Sequence, residues 1–299
     1  MDLIRPGTQI SFMKFRNQGF TISIILIVVS LISIFFIRGL NYGIDFAGGT
    51  VIQVKFSNPT QTEQVRTALQ PLGQEKSLIQ SVGPAQENEF LIRTTASEDS
   101  TKNLAAQFEE ALQQTFGKDA VDIRRVDMVG SEVSQDLKQK GFLSLFYAGI
   151  GILIYIWWRF ELKFSFGAIL ALLHDVIITV GVFSLTGKEI SLPVVAALLT
   201  IVGYSLNDTI VVFDRIRENM KKKSSQELAG LLNTSISQTL SRTLLTSLTT
   251  FLVVFFLYML GGSVIHNFAF AMMVGVIVGT YSSVFIASPV LLVLNREKS

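Results

Sequence analysis

Six long apolar runs divide the chain, near residues 20–37, 142–158, 164–185, 194–213, 240–260 and 268–294. A hydrocarbon core of about 30 Å is crossed by roughly 20 helical residues, so each run predicts a transmembrane helix. Between Thr50 and Val129 the pattern changes to short alternating segments joined by polar turns. Ile52, Val54 and Phe56 alternate with Val51, Gln53 and Lys55 as a strand, and Asn58-Pro59 ends it before a helix that Gly73 stops. Strands are expected at 78–82 and 89–94, separated by Gly83 and Pro84, then a helix from Thr101 to Phe116 and a last strand at 121–129. The order β-α-β-β-α-β predicts a ferredoxin-like α+β domain inserted after the first span of a six-helix membrane bundle.

Composition agrees with a membrane protein. Of 299 residues, 49% are hydrophobic and 16% charged, and the mean hydropathy is +0.48, too apolar for an ordinary soluble enzyme of this length. Lys14 and Arg16 precede the first run as they would in a signal peptide, but 18 apolar residues exceed an h-region and no A-x-A-like site follows. The run is read as a retained anchor.

Basic residues set the orientation. Arg5, Lys14 and Arg16, then Arg159 and Lys163, the cluster Arg215, Arg217, Lys221, Lys222 and Lys223, and finally Arg296 and Lys298 fall on one side of a six-span layout. The opposite turns hold only Lys188. Both termini are therefore expected to be cytoplasmic, with 1–19 a cytoplasmic segment, 20–38 the first span, 39–140 extracytoplasmic, 141–295 the remaining spans and 296–299 a tail. The basic 215–223 run reads as a topology signal, with contact to anionic membrane lipid as the alternative.

The absence of cysteine removes disulfides, thiolate metal sites and cysteine nucleophiles. The inserted domain has no His, no P-loop and no carboxylates at metal-ligand spacing, so no cofactor and no metal are expected there. Nothing in the chain calls for nucleic acid. Gly48 and Gly49, between the first span and the first strand, suit a turn needing positive φ and read as a hinge.

Ionisable groups within apolar runs are costly and usually face protein or water. His174, Asp175, Asp208 and Arg242 are such groups. Asp208 lies about five residues from one end of span four and Arg242 about five residues into span five from the same side. At 1.5 Å per residue both sit roughly 7 Å deep, which pairs them as a proton-responsive couple. Ser235, Gln238, Arg242, Thr246 and Thr249 share a helix face, a polar stripe fit to line a hydrated path. A static ion pair or a snorkelling Arg is the alternative.

Asp175 shares a face with Gly167, Ala171 and Thr179, pointing into the bundle. His174 beside it suits a satisfied core residue. Ala271, Gly275, Gly279, Ser283 and Ala287 place a small residue at every fourth position of span six, a face for close helix packing. Residues 224–237 are expected to form a separate interfacial helix, with Ser224 and Glu227 as its capping box. An intramembrane aspartyl protease using Asp175 and Asp208 is disfavoured, because the two lie at different depths and no G-x-G-D string surrounds Asp208.

Several strings resemble the SecF family of protein translocase subunits, a branch of SecD/SecF within the resistance-nodulation-division superfamily. They are Gly43-Ile44-Asp45-Phe46-Ala47-Gly48-Gly49, Val129-Gly130-Ser131-Glu132-Val133-Ser134 and Leu173-His174-Asp175-Val176. Span four adds the run from Val202 through Asn207-Asp208-Thr209 to Asn219, and span five adds Ser241-Arg242-Thr243.

The resemblance implies a non-enzymatic subunit in the bacterial cytoplasmic membrane, acting with SecD and the SecYEG translocon on a translocating preprotein. Its six spans would form half of a twelve-span unit, and proton flow would drive export. It marks Asp208 and Arg242 as the proton path; Asp175, His174, Asn207 and Thr246 stand beside them as secondary polar candidates, and Gly48, Gly49 and Gly130 as hinge positions. A structural scaffold without proton conduction, or half of a small-molecule exporter, are the competing readings.

Overall fold

A computed structural model describes residues 8–74, 77–82, 88–94, 104–160, 162–222 and 227–296. The expected turn at Gly83 and Pro84, the helix start at Thr101, the capping residue Ser224 and the basic residues Arg5, Lys223 and Lys298 lie outside them. The chain divides into two compact units, one of residues 1–41 with 142–299 and one of residues 42–141.

The larger unit is helical. Among the described residues, six helices are long and apolar enough to cross a membrane: Phe12–Ile37, Ser131–Arg159, Leu162–Thr186, Leu192–Lys222, Leu228–Leu260 and Val264–Leu294. The first contains α1 (Arg16–Ile32), and the next four are α5, α6, α7 and α8. The sixth comprises α9 (Gly262–Ser282), a wide turn at Ser283–Ala287 and α10 (Ser288–Arg296). The wide turn has a local cause, because Pro289 has no N–H to give the carbonyl four residues before it. Beside it the Ser288 hydroxyl donates to the Ser283 carbonyl at 2.9 Å.

The expected interfacial helix at 224–237 is not a separate element. Residues 228–237 are the first turns of α8, which runs unbroken for 33 residues. No proline interrupts it, and Leu231, Leu232 and Ile236 bury into the same apolar cluster as Val212, Phe213 and Ile216 of α7 instead of facing a bilayer surface.

Close helix contact rests on small residues, as the four-residue spacing in span six predicts. A Cβ on Gly275 would lie 2.3 Å from Ile201 Cγ1, and one on Gly279 would lie 2.9 Å from Ser205 Cβ, so α7 and α9 meet at van der Waals distance along this face. A Cβ on Gly181 would fall 2.1 Å from Ser30 Oγ, which sets the approach of α1 to α6 in the same way. Next to it, the Ser33 and Ser184 hydroxyls share a 2.8 Å hydrogen bond.

The smaller unit carries four strands, β1 (Gly49–Phe56), β2 (Leu78–Val82), β3 (Glu89–Thr94) and β4 (Val121–Val129). They form one sheet in the order β2-β3-β1-β4, with every neighbouring pair antiparallel. Helices α3 (Thr62–Leu69) and α4 (Leu104–Phe116) connect them. Ile52, Val54 and Phe56 of β1, with Phe90 and Ile92 of β3, pack against Val65 and Leu69 of α3 and Phe108 and Leu112 of α4. Burying these side chains is the main stabilising term in a unit without disulfides.

Gln61 caps α3 through a reciprocal box with Gln64. A register shift between Gln53 and Val54 leaves Arg124 of β4 unpaired as a bulge. The short helix α2 (Ile44–Ala47) precedes β1. Gly48 at its end has φ +71° and Gly49 has φ +116°, where residues with a side chain are strained. Gly130 needs no such backbone. Its carbonyl accepts the Ser134 N–H at 2.9 Å, which opens α5.

A polar core in the helical unit and its relatives

Two carboxylates, Asp175 and Asp208, are buried in the helical unit, 0% and 3% exposed. Their surroundings differ. Asp175 Oδ2 accepts the Ser205 hydroxyl of α7 at 2.5 Å and the Ser282 hydroxyl of α9 at 2.8 Å. Its Oδ1 lies 2.8 Å from His174 Nδ1. His174 Nε2 meets Ser23 Oγ of α1 at 3.1 Å, and the His174 ring stacks on Tyr281. The Tyr281 hydroxyl donates to the Gly19 carbonyl at 2.7 Å. One carboxylate thus ties α1, α6, α7 and α9 together, and both of its oxygens are occupied.

Among the described residues Asp208 holds one hydrogen bond, from Ser247 Oγ to Oδ2 at 3.5 Å. Ser247 in turn shares a 2.7 Å bond with Thr280 Oγ1 of α9. An ionised carboxylate with open lone pairs, away from water, is unfavourable unless a proton or a cation compensates it. Asp208 is therefore the buried acid whose surroundings leave room for a change of protonation.

Asp208 and Arg242, expected as a proton-responsive couple, are not in direct contact. No ion pair within 4.0 Å joins them. Arg242 is exposed on the outer side of α8, within electrostatic reach of Asp208. The stripe through Arg242 also faces outward: Gln238, Arg242 and Thr249 are exposed and Thr246 is half-buried. Thr246 and Thr249 return their hydroxyls to carbonyls of their own helix. Ser235 alone is enclosed, where Asn219 Nδ2 donates to it at 2.8 Å.

The inward polar face of α8 is instead Ser235, Thr239, Thr243 and Ser247, all buried. Asn207 is expected as a secondary polar candidate. It lies on the exposed side of α7 together with Ala196, Thr200 and Gly203. No group of three or more metal-ligating side chains occurs among the described residues.

A second cluster sits at the turn between α6 and α7. Lys188 Nζ lies 4.7 Å from the Phe270 ring centre and 5.7 Å from that of Tyr258. Burial against these rings lowers the Lys188 pKa below 10.5. The His266 ring stacks on Tyr258 at 4.1 Å, and Asn267 Nδ2 donates to the Glu189 carbonyl at 3.1 Å. This turn is thereby pinned to the α8–α9 junction by its only basic side chain.

Residues 107–297 match the family described as protein export membrane protein SecD/SecF, C-terminal, and residues 33–60 match the SecD/SecF GG motif. The protein translocase subunit SecF of Magnetococcus marinus is 48% identical over 99% of this chain and 95% of its own length. The chain belongs to the SecF family. SecF of Pseudomonas aeruginosa is 44% identical over 98% of the chain and 93% of its own length. SecF of Escherichia coli O157:H7 is 39% identical over 96% and 88%.

A crystal structure of SecDF from Thermus thermophilus, described as a translocon-associated membrane protein, superimposes with a TM-score of 0.87 at 36% identity. It covers 97% of this chain. SecDF in a super-membrane-facing form gives a TM-score of 0.71, also at 36% identity, over 100% of the chain. This chain spans 39% and 40% of those two SecDF chains. SecF-family proteins are multi-pass membrane subunits of protein export.

Proposed function

We propose that this SecF-family chain works with SecD beside the SecYEG translocon, using the proton motive force to promote movement of a preprotein across the bacterial cytoplasmic membrane. In this reading Asp208 takes up and releases the proton, and Arg242 biases it. The observation that carries the proposal is the contrast between the two buried acids: Asp175 has both oxygens filled, while Asp208 has one long bond from Ser247.

An exposed guanidinium within a span costs about 2.5–3.5 kcal/mol by insertion scales when it faces lipid near the helix centre. A polar neighbour relieves that cost, which favours SecD as the group facing Arg242. The exposed Ala196, Thr200, Gly203 and Asn207 on α7 are small or polar and fit the same contact. The six spans are read as half of a resistance-nodulation-division-type unit, and the relatives that join SecD and SecF in one longer chain support this.

The sheet order and antiparallel pairings of the smaller unit favour a ferredoxin-like assignment. Positive-inside charge favours cytoplasmic termini and an extracytoplasmic position for that unit, with Gly48, Gly49 and Gly130 at its hinges. His174 and Asp175 are assigned to packing, and Asn207 and Thr246 to the surface facing SecD.

The test is Asp208→Asn, reconstituted with SecD and the translocon in proteoliposomes. Loss of proton conduction and of gradient-dependent export, with assembly intact, is expected. Unchanged conduction and export would sink the proposal and leave this subunit as a scaffold.

A further inference from the structure

The two buried acids lie in separate hydrogen-bond networks, yet the same two helices carry both. On α7, Ser205 and Asp208 are one turn apart; on α9, Thr280 and Ser282 are two residues apart. Ser205 and Ser282 converge on Asp175 Oδ2. Thr280 reaches Asp208 through Ser247. Between these two bridges Gly279 leaves no room for even a methyl group against Ser205. The α7–α9 spacing is thus fixed from one side by the Asp175 carboxylate, and the same spacing decides where Asp208 stands relative to Ser247 and Thr280.

We infer that Asp175 is a positioning residue for the Asp208 proton site, acting by clamping α7 to α9 through Ser205 and Ser282. The inference rests on the proton-carrying role proposed for Asp208. Asp175 itself moves no proton in this mechanism. Its work is to present acceptor oxygens, and the 3.5 Å bond from Ser247 to Asp208 is the element that responds when the clamp loosens. His174 on α6 and Tyr281 on α9 are the titratable groups in the Asp175 network. Among the described residues, Arg242 of α8 is the charged side chain acting on Asp208.

An acceptor role predicts a particular order among variants. Asp175→Asn keeps one carbonyl oxygen for the two serines and offers its amide N–H to His174 Nδ1, so the clamp survives. Asp175→Ala removes every acceptor. The experiment measures proton conduction against pH in proteoliposomes holding SecF, SecD and the translocon. Asp175→Ala is expected to assemble and to move the midpoint of the profile by about one pH unit, since the hydrogen bonding and placement of Asp208 change. Asp175→Asn is expected to restore the wild-type midpoint.

If Asp175→Ala does not assemble, the double variant Ser205→Ala with Ser282→Ala takes its place, and the same shift is expected. An unmoved midpoint in either, where Asp208→Asn abolishes conduction, overturns the inference alone. Abolished conduction in Asp175→Asn also overturns it, by making Asp175 a proton carrier. Full conduction in Asp208→Asn removes the reading on which it rests.

Discussion

Replacing Gly279 with alanine tests the contact that holds the polar core together. The added Cβ would stand 2.9 Å from Ser205 Cβ and 3.2 Å from its hydroxyl. Carbon atoms in ordinary contact stand about 3.5–4.0 Å apart, so α7 and α9 must separate by roughly 0.6–1.1 Å. Taken up by one bond, the larger separation breaks the 2.8 Å link from Ser282 to Asp175; shared, it weakens the Ser205 link too. Overpacking of this kind costs about 1–3 kcal/mol, and in a unit of this size each kcal/mol moves a thermal midpoint by about 2–4 °C.

Gly279→Ala should therefore lower the apparent midpoint, followed by circular dichroism in detergent, by about 2–12 °C. Gly203→Ala is the matched control. Its Cβ meets nothing within 4 Å, and alanine gains up to about 1 kcal/mol of helix propensity over glycine, so its midpoint should hold or rise. A Gly279→Ala midpoint equal to that of the parent chain would refute the claim that this glycine sets the helix spacing.

Three further outcomes follow from the same reasoning. Phe108→Ala empties a fully buried site in the sheet domain and should cost about 3–5 kcal/mol, read as lost amide protection of β1 and β3 in hydrogen exchange with the helical unit unaffected. Gly48→Ala places a side chain at φ +71° and ψ 170° and should cost about 1–3 kcal/mol, seen as faster proteolysis of the domain. Burial disfavours the charged form of Lys188, so its free amine forms at lower pH; acylation of Lys188 against pH should give a midpoint below 10.5, and Phe270→Ala should move it back up.

The elements were legible because their signals are long or strongly periodic. The strand at 121–129 and the alternation that buries Ile52, Val54 and Phe56 both appear where the pattern puts them. The polar core was legible only in its charges. Depth matching paired Asp208 with Arg242, but depth gives no azimuth, and a single residue step turns a helix by about 100°. The face through Arg242 points outward and the face through Thr243 and Ser247 points inward.

Ser23, Thr280 and Ser282 carry no sequence signal, and Ser205 only its place in the span-four run from Val202 to Asn219. Small hydroxyl residues are common in membrane helices and usually bond their own backbone. Only the fold shows which ones reach a carboxylate. The continuity of α8 is hidden in the sequence for a related reason: Ser224 and Glu227 have the spacing of a capping box, whereas the Leu231, Leu232 and Ile236 side packs within the bundle.

The sheet domain is joined to its neighbouring helices with almost no slack. Gly48 abuts β1, and Gly130 alone separates β4 from α5. Gly49 and Val129, the two ends so attached, are paired across the sheet. A flexible linker of many residues would absorb a displacement as chain entropy. Here Gly130 is the one residue between the last strand and α5, so a displacement at the start of α5 meets a hydrogen-bonded ladder within a single residue.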